Sequence, residues 1–211
     1  MSDGVKNETP NAAKKIITLP GPAHDGKLAV EAAFLGRRST RNYKERPVDL
    51  KEISQLLWSA QGIVRPGGYR TCPSAGALYP LELQLAAGSV DGLPTGFYRY
   101  DCAKHAILLE SDRDIRSDLA SAALGQPAIS RAPATIAVSA VFERTTRKYG
   151  ERGIRYVFIE AGHVAQNIHI QAVALGLGTV VIGAFRDEEV KKALSLRPDE
   201  SPLLLMPIGR I

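Results

Sequence analysis

Arg37, Arg38 and Arg41 stand within a five-residue span, with the hydroxyl of Ser39 among them. Guanidinium groups grip a phosphate through paired, charge-assisted hydrogen bonds, each worth roughly 1.5–3 kcal/mol. The cluster reads as an anion cradle or as the solvated basic end of a helix, where the helix dipole favours cations. A second stretch, Pro73 to Pro80, sets Ser74, Ala75, Gly76, Ala77 and Leu78 between the first proline and Tyr79-Pro80. Such a loop is stiff and has open amides, although it would serve as well as a bare connection. A third, Ile182-Gly183-Ala184, closes a β-branched run with residues small enough for a flat ligand to meet the backbone. Other chemistries have less behind them. Ser74 lacks a G-x-S-x-G setting, so no nucleophile elbow is expected. His163 and His169 are six residues apart, off any shared helical face, with no acidic or thiol partner at ligand spacing, so no metal site is expected. Cys72 and Cys102 have neither CxxC nor zinc spacing and read as free thiols.

These groups need a frame, and the stretch from Arg155 to Phe185 supplies its centre. It predicts one long helix over 155–175 running into a buried strand at 179–182. Val157, Ile159, Ala161, Val164, Ile168, Ala172 and Leu175 make the helix apolar around most of its circumference, interrupted mainly by Glu160, Gln166 and Asn167. A helix of that kind belongs in a core. Gly176 is placed for a left-handed close, and Thr179-Val180-Val181-Ile182 suits a buried strand. Ahead of it, the pattern predicts a helix from Lys27 to Leu35, capped by Asp25 and stopped by Gly36. A second helix starts at the capping-box residues Asp49 and Glu52, carries Ile53, Leu56, Leu57 and Ala60 on one face, and ends at Gly62. Alternating Leu81, Leu83 and Leu85 mark a half-buried strand, and 97–100 with 106–109 a hairpin. A surface helix over 112–124, a buried strand over 135–142 and a basic loop over 143–153 complete that half. After the centre come a short helix capped by Asp187 and running to Leu194, and a last strand over 203–208. Residues 1–26, punctuated by Pro10, Pro20, Gly21 and Pro22, read as an irregular leader arm, and 27–211 as a single domain. This order is mixed α+β, not a βαβ alternation. The G-x-G at Gly176-Leu177-Gly178 leaves a helix and enters a strand, the reverse of a dinucleotide fingerprint, which excludes a Rossmann reading.

With 211 residues, 45% of them hydrophobic and 23% charged, the composition is that of an ordinary globular domain. No run has the length of a membrane span, and the first residues lack the apolar region of a secretory signal, so a cytoplasmic protein is expected. A net charge of +5 admits nucleic acid or a phosphorylated cofactor.

RRSTR at 37–41, RTCPSAGALYPLEL at 70–83, GFYRYDCAKHAI at 96–107, the run KYGERGIRYVFIEAGHVAQNIHIQAVALGLG at 148–178 and MPIGR at 206–210 occur in this order. Together they resemble the nitroreductase-like flavoproteins and, within them, the SagB-type dehydrogenases, whose characterised members oxidise azolines to azoles in peptide natural products. The resemblance covers about Pro20 to Arg210. It implies a nitroreductase-like α+β fold, a central mixed or antiparallel sheet surrounded by helices, in a homodimer holding FMN in two interface clefts. Arg37, Arg38 and Ser39 would then bind the FMN phosphate and ribityl chain, Arg41 the pyrimidine edge, and Arg210 a second side of the phosphate. Pro73, Ser74, Ala75, Gly76 and Leu78 match the loop that reaches the flavin from the other subunit. Ile182, Gly183 and Ala184 match the strand end facing the ring near its reactive nitrogen. The chain stops at Ile211 with no C-terminal arm, so the usual arm exchange is not expected, whereas the dimer is.

The resemblance implies hydride transfer in one of two directions. NAD(P)H would load FMN for a nitro or quinone acceptor, or a small-molecule or peptide substrate would reduce it. Azoline oxidation also removes a proton and so needs a base beside the ring. Lys148 and Tyr149, heading the core helix, are the candidates, and crowding by Arg144, Arg147, Arg152 and Arg155 would favour a neutral lysine. The same segment reads as well as a solvated basic loop that draws in a cofactor phosphate or an acidic peptide. A basic module that stores flavin or binds nucleic acid without catalysis is the contrasting class. No groove-reading motif supports a nucleic-acid partner.

Overall fold

The computed structural model describes residues 15–211. In chain order these form β1 (Ile16–Thr18), α1 (Val30–Gly36), β2 (Val48–Asp49), α2 (Leu50–Gln61), β3 (Ile63–Arg65), β4 (Tyr69–Arg70) and a 3₁₀ turn (Ala75–Ala77). There follow β5 (Leu81–Ala87), β6 (Val90–Asp91), β7 (Gly96–Asp101), β8 (Ala106–Ser111), α3 (Arg116–Ala122), α4 (Pro127–Arg131) and β9 (Ala134–Ala140). Last come α5 (Glu143–Tyr149), α6 (Arg152–Ala174), β10 (Leu177–Thr179), α7 (Asp187–Ala193) and β11 (Ser201–Arg210). Seven strands pair in the order β1-β8-β7-β5-β9-β11-β10, antiparallel at every step.

The sheet is covered on both faces because its central strands are apolar on both. Leu81, Leu83 and Leu85 of β5 point to one side and join Ile53, Leu56 and Leu57 of α2 and Val157, Val164 and Ile168 of α6. Ala86 points to the other and joins Phe97, Leu119, Ile129, Val180 and Val190, so α3, α4 and α7 close that face. Side chains alternate across a strand, so one strand feeds two cores. The expected half-buried strand at 81–85 is therefore buried on both sides, and even Gln84 is enclosed, donating to Ser139 Oγ at 2.8 Å.

Several local expectations hold. Asp49 and Glu52 form the reciprocal capping box of α2, and Gly176 closes α6 at φ 69°. Others are corrected. The first helix begins at Val30, not Lys27, and Asp25 does not cap it; α1 buries only Ala33 and forms where it meets α6. Part of the leader arm is ordered, since the β-branched Ile16–Thr18 adds an edge strand against β8; the rest of the arm, 1–14, lies outside the described residues. The basic loop 143–153 is a helix up to Tyr149, because no glycine interrupts it before Gly150. The strand expected at 179–182 pairs only through Thr179, after which Val180 and Ile182 turn into the second core; Ile182 keeps a single bridge to Leu205. The helix expected over 112–124 shortens to α3, and α7 is capped by the backbone at Arg186 and not by Asp187.

The long helix is a core helix on one face only. Val157, Glu160, Ala161, Val164, Ala165 and Ile168 are buried, whereas Ile154, Phe158 and Ile159 stand exposed along the opposite side. No helix among the described residues is long and apolar enough to cross a membrane.

Candidate active site

Loop 73–80 connects β4 to β5, and its backbone is unusual. Gly76 (φ 64°), Ala77 (φ 54°) and Tyr79 (φ 47°) all take left-handed conformations. For residues with a side chain this costs roughly 1–2 kcal/mol each, so the surroundings must impose it. They do so at Tyr79. Its N–H donates to Ser74 Oγ at 2.9 Å, and its carbonyl accepts from Arg144 Nη1 at 3.1 Å. Its hydroxyl accepts from the Arg70 N–H at 3.2 Å, and the Arg70 guanidinium lies 4.5 Å from its ring centre.

Beneath the loop is a buried polar cluster. Arg70 Nη1 donates to Gln61 Oε1 at 2.6 Å, while Gln61 Nε2, Arg70 Nε and Glu160 Oε1 are enclosed with no hydrogen-bond partner among the described residues. Glu160 projects from α6 and is 3% exposed. Burial pushes its carboxyl up to about 7, against the opposing pull of the Ser74 hydroxyl, the Arg70 charge and the Gln61 amide. Burial, helped by Glu160 and opposed by Arg70, likewise pushes the Cys72 thiol up to about 12, which leaves it a protonated, unreactive side chain.

Above the loop sits the end of α5. A side chain at Gly76 would begin 2.8 Å from Tyr149 Oη and 3.0 Å from Lys148 Nζ, so only glycine lets these groups lie there. Tyr149 is braced from behind by Tyr156 of α6, edge to face at 5.1 Å, and Lys148 Nζ is 5.4 Å from the Tyr149 ring centre. The structure thus brings Lys148 and Tyr149 onto the 73–80 loop, two features that lie far apart in the sequence.

The arginine cluster lies elsewhere. Ser39 bridges Thr179 at the edge of the sheet, and the Thr40 N–H donates to Thr179 O at 2.9 Å. Arg37, Arg38 and Arg41 have no carboxylate partner among the described residues. Arg37 lines a cavity of about 420 Å³ with Phe158, Gly162, His169 and Val181. His169 is buried, and burial followed by the Arg37 charge pushes its pKa down, so it stays neutral. Past the Ile182 bridge, Gly183 and Ala184 are exposed, and nothing approaches the open side of Gly183. Arg210 is differently placed from the expected phosphate contact. Its fork is occupied by Glu52 at 2.7 and 2.9 Å, and its Nε donates to Pro47 O at 3.1 Å.

The two sets are apart within one chain. Ser39 is in register with Thr179, Ile208, Ala134 and Ala87, whereas the loop enters the sheet at Leu81. Six residues along β5 are about 20 Å, and four strand spacings across add roughly 19 Å at right angles.

Residues 35–210 match the family model described as the nitroreductase family. The chain belongs to the nitroreductase family. A protein of Methanocaldococcus jannaschii assigned as a nitroreductase is 45% identical over 184 residues, 87% of this chain and 92% of that one. A solved structure from Ralstonia eutropha, also assigned as a nitroreductase, superposes with a TM-score of 0.81 at 32% identity, covering 92% of this chain and 89% of that one. The microcin B17-processing protein of Escherichia coli is 27% identical over 176 residues, and this chain spans 63% of its length. The protein is an oxidoreductase with the family's α+β fold. Its sequence does not announce Tyr79, Arg144 and Glu160 as parts of the site. Tyr79 is marked only by the proline after it, and Glu160 only by being a carboxylate in an apolar helix.

Proposed function

We propose that this protein is an FMN-dependent dehydrogenase that oxidises an azoline-type ring in a peptide or small molecule, and that it works as a homodimer. The observation that carries this reading is the seat of Lys148 and Tyr149 against Gly76, in the loop that the family resemblance assigns to the flavin. A reductase whose acceptor takes its protons from water has no use for an amine and a phenol there.

The donor set fits FMN. Arg37 and Arg38, which have no carboxylate partner among the described residues, would with the Ser39 hydroxyl hold its phosphate and ribityl chain, with Arg41 at the pyrimidine edge. The open backbone at Ile182–Ala184 would face the ring, and the 73–78 segment of the second subunit would cover it. FMN held there would supply the acceptor for a hydride from the substrate carbon. Lys148 Nζ takes the proton from the adjacent atom, leaving a new ring double bond. Tyr149, wedged between Gly76 and Tyr156, fixes the lysine's approach and keeps water from the ring. The microcin-processing relative supports a peptide substrate. The 45% identical relative supports the second reading, an NAD(P)H-dependent nitro or quinone reductase.

The test is to isolate the protein with its cofactor and compare wild type, Lys148→Ala and Tyr149→Phe. Two activities are followed: oxidation of a thiazoline-containing peptide, and NADPH-driven reduction of a nitroaromatic. Loss of peptide oxidation by about 100-fold with FMN content retained is expected, since a positioned base contributes roughly 10²–10⁴-fold. Wild type that reduces the nitroaromatic and never oxidises the peptide would establish the second reading. A colourless protein that does not bind FMN would dispose of both.

A further inference from the structure

We infer that Arg144 is a positioning residue that latches α5 to loop 73–80 and so holds Lys148 and Tyr149 over Gly76; its catalytic consequence rests on the dehydrogenase reading above. Arg144 stands one helical turn before Lys148, on the same face of α5. Its guanidinium spans two elements at once. Nη1 donates to the carbonyl of Tyr79, the left-handed residue that closes the loop, and Nη2 donates to Glu82 in β5. Otherwise α5 is held by its packing on α6, through Tyr149 against Tyr156 and the close approach of Gly153 to Thr146; Thr145 is its only buried residue, and Arg147 pairs with Glu143 one turn away on the exposed side.

The far end of the latch does not give. Glu82 is also held by Arg197 Nη2 at 3.3 Å, and the same Nη2 reaches Glu200 at 2.5 Å. Glu200 is fully buried and is gripped by both terminal nitrogens of Arg99 in β7, at 2.8 and 3.1 Å. An alternating chain of charge therefore runs from the sheet to the loop and ends on the helix that carries the lysine. Two acceptors on different elements suit a planar fork of donors. An ammonium group has no such fork and satisfies one of them at a time.

The experiment uses the FMN-loaded protein and the variants Arg144→Lys and Glu82→Gln. Amide hydrogen exchange is the first measurement, because it reports local opening without turnover. Exchange at 73–80 and 143–149 is expected to quicken at least tenfold in both variants, with β9 and the middle of α6 unchanged. The second measurement is oxidation of the thiazoline peptide. A fall in kcat of at least tenfold with KM held within a factor of two is expected, the signature of a misplaced group and not of lost substrate binding. Exchange unchanged at both segments, or quickened equally in β9, overturns the latch. Wild type that fails to oxidise the peptide defeats the dehydrogenase reading alone, and the exchange comparison still decides the latch.

Discussion

Glu160 is a carboxyl enclosed by core on one side and by a strained loop on the other, with one oxygen that accepts no hydrogen bond. Its acidity therefore has a consequence for stability. The group moves from an ordinary 4.5 to about 7 on folding, so between those values the folded chain keeps a proton that the unfolded chain has released. Stability contributed by the neutral acid is complete below about pH 4.5 and is lost as pH rises through 7, a difference of about 3 kcal/mol. Glu160→Gln keeps the shape and cannot ionise. Urea unfolding should show the variant equal to wild type near pH 5 and more stable by roughly 2–3 kcal/mol at pH 8; equal stability at both pH values would show that the carboxyl is solvated after all. Gly76 makes a second residue-scale case, because a methyl group there meets Tyr149 Oη at 2.8 Å on a backbone with φ 64°. Gly76→Ala should cost about 1 kcal/mol in stability and displace Tyr149, lowering peptide oxidation while leaving the Arg37–Ser39 segment intact. Removal of either guanidinium by Arg37→Ala or Arg38→Ala should weaken FMN binding tenfold to a hundredfold, read by fluorescence titration.

Among the elements, those with a strong period or a capping signal were legible from the residues. The reciprocal bonds of Asp49 and Glu52 start α2 where the pattern places it, and the apolar run of α6 ends at the glycine that can turn left-handed. Elements governed by contacts between distant residues were not. Residues 143–149 carry so many charges that they read as a loop, yet helix α5 forms there and Arg144 reaches Tyr79 and Glu82 across more than sixty positions. The site divides in the same way. Small residues and arginines mark the surfaces that would meet the cofactor, whereas the Tyr79 grip and the Arg70–Gln61–Glu160 cluster arise only when β4, α2 and α6 converge. Glu200 shows how much such a convergence carries. It lies between Arg99 and Arg197 with no exposed surface. Taking one partner from a buried charged group costs roughly 3–5 kcal/mol, so Glu200→Ala should lower unfolding stability by about 3 kcal/mol, and a loss below 1 kcal/mol would mean that water replaces the carboxylate.

The whole molecule presents an oxidoreductase fold whose two candidate surfaces are separated within the chain. By the strand register, Ser39 and the entrance of loop 73–80 lie about 28 Å apart, combining about 20 Å along β5 with four strand spacings across. One flavin mononucleotide does not bridge that gap, but it can sit where the arginine segment of one chain meets the loop of another. The exposed residues lie where such a meeting would cover them. Phe158 and Ile159 stand on the outer side of α6, next to the cavity shared by Arg37 and Val181, and Phe34 and Leu35 stand exposed on α1 just before the arginines. An apolar surface of this kind on a chain of this size is expected to be covered by a partner. The shared-site arrangement predicts complementation. Arg38→Ala should spoil the phosphate end of a site and Gly76→Tyr the loop end, so each homodimer should have two damaged sites. Unfolding and refolding the variants together should yield heterodimers, each with one site made of an intact arginine segment and an intact loop, and one site damaged twice. Half of the refolded dimers would then carry one working site, restoring about a quarter of the wild-type FMN sites, measured by titration after separation by size. If the mixture binds no more FMN than the sum of the two variants, each chain must build its own site, and the long face of α6 serves some other contact.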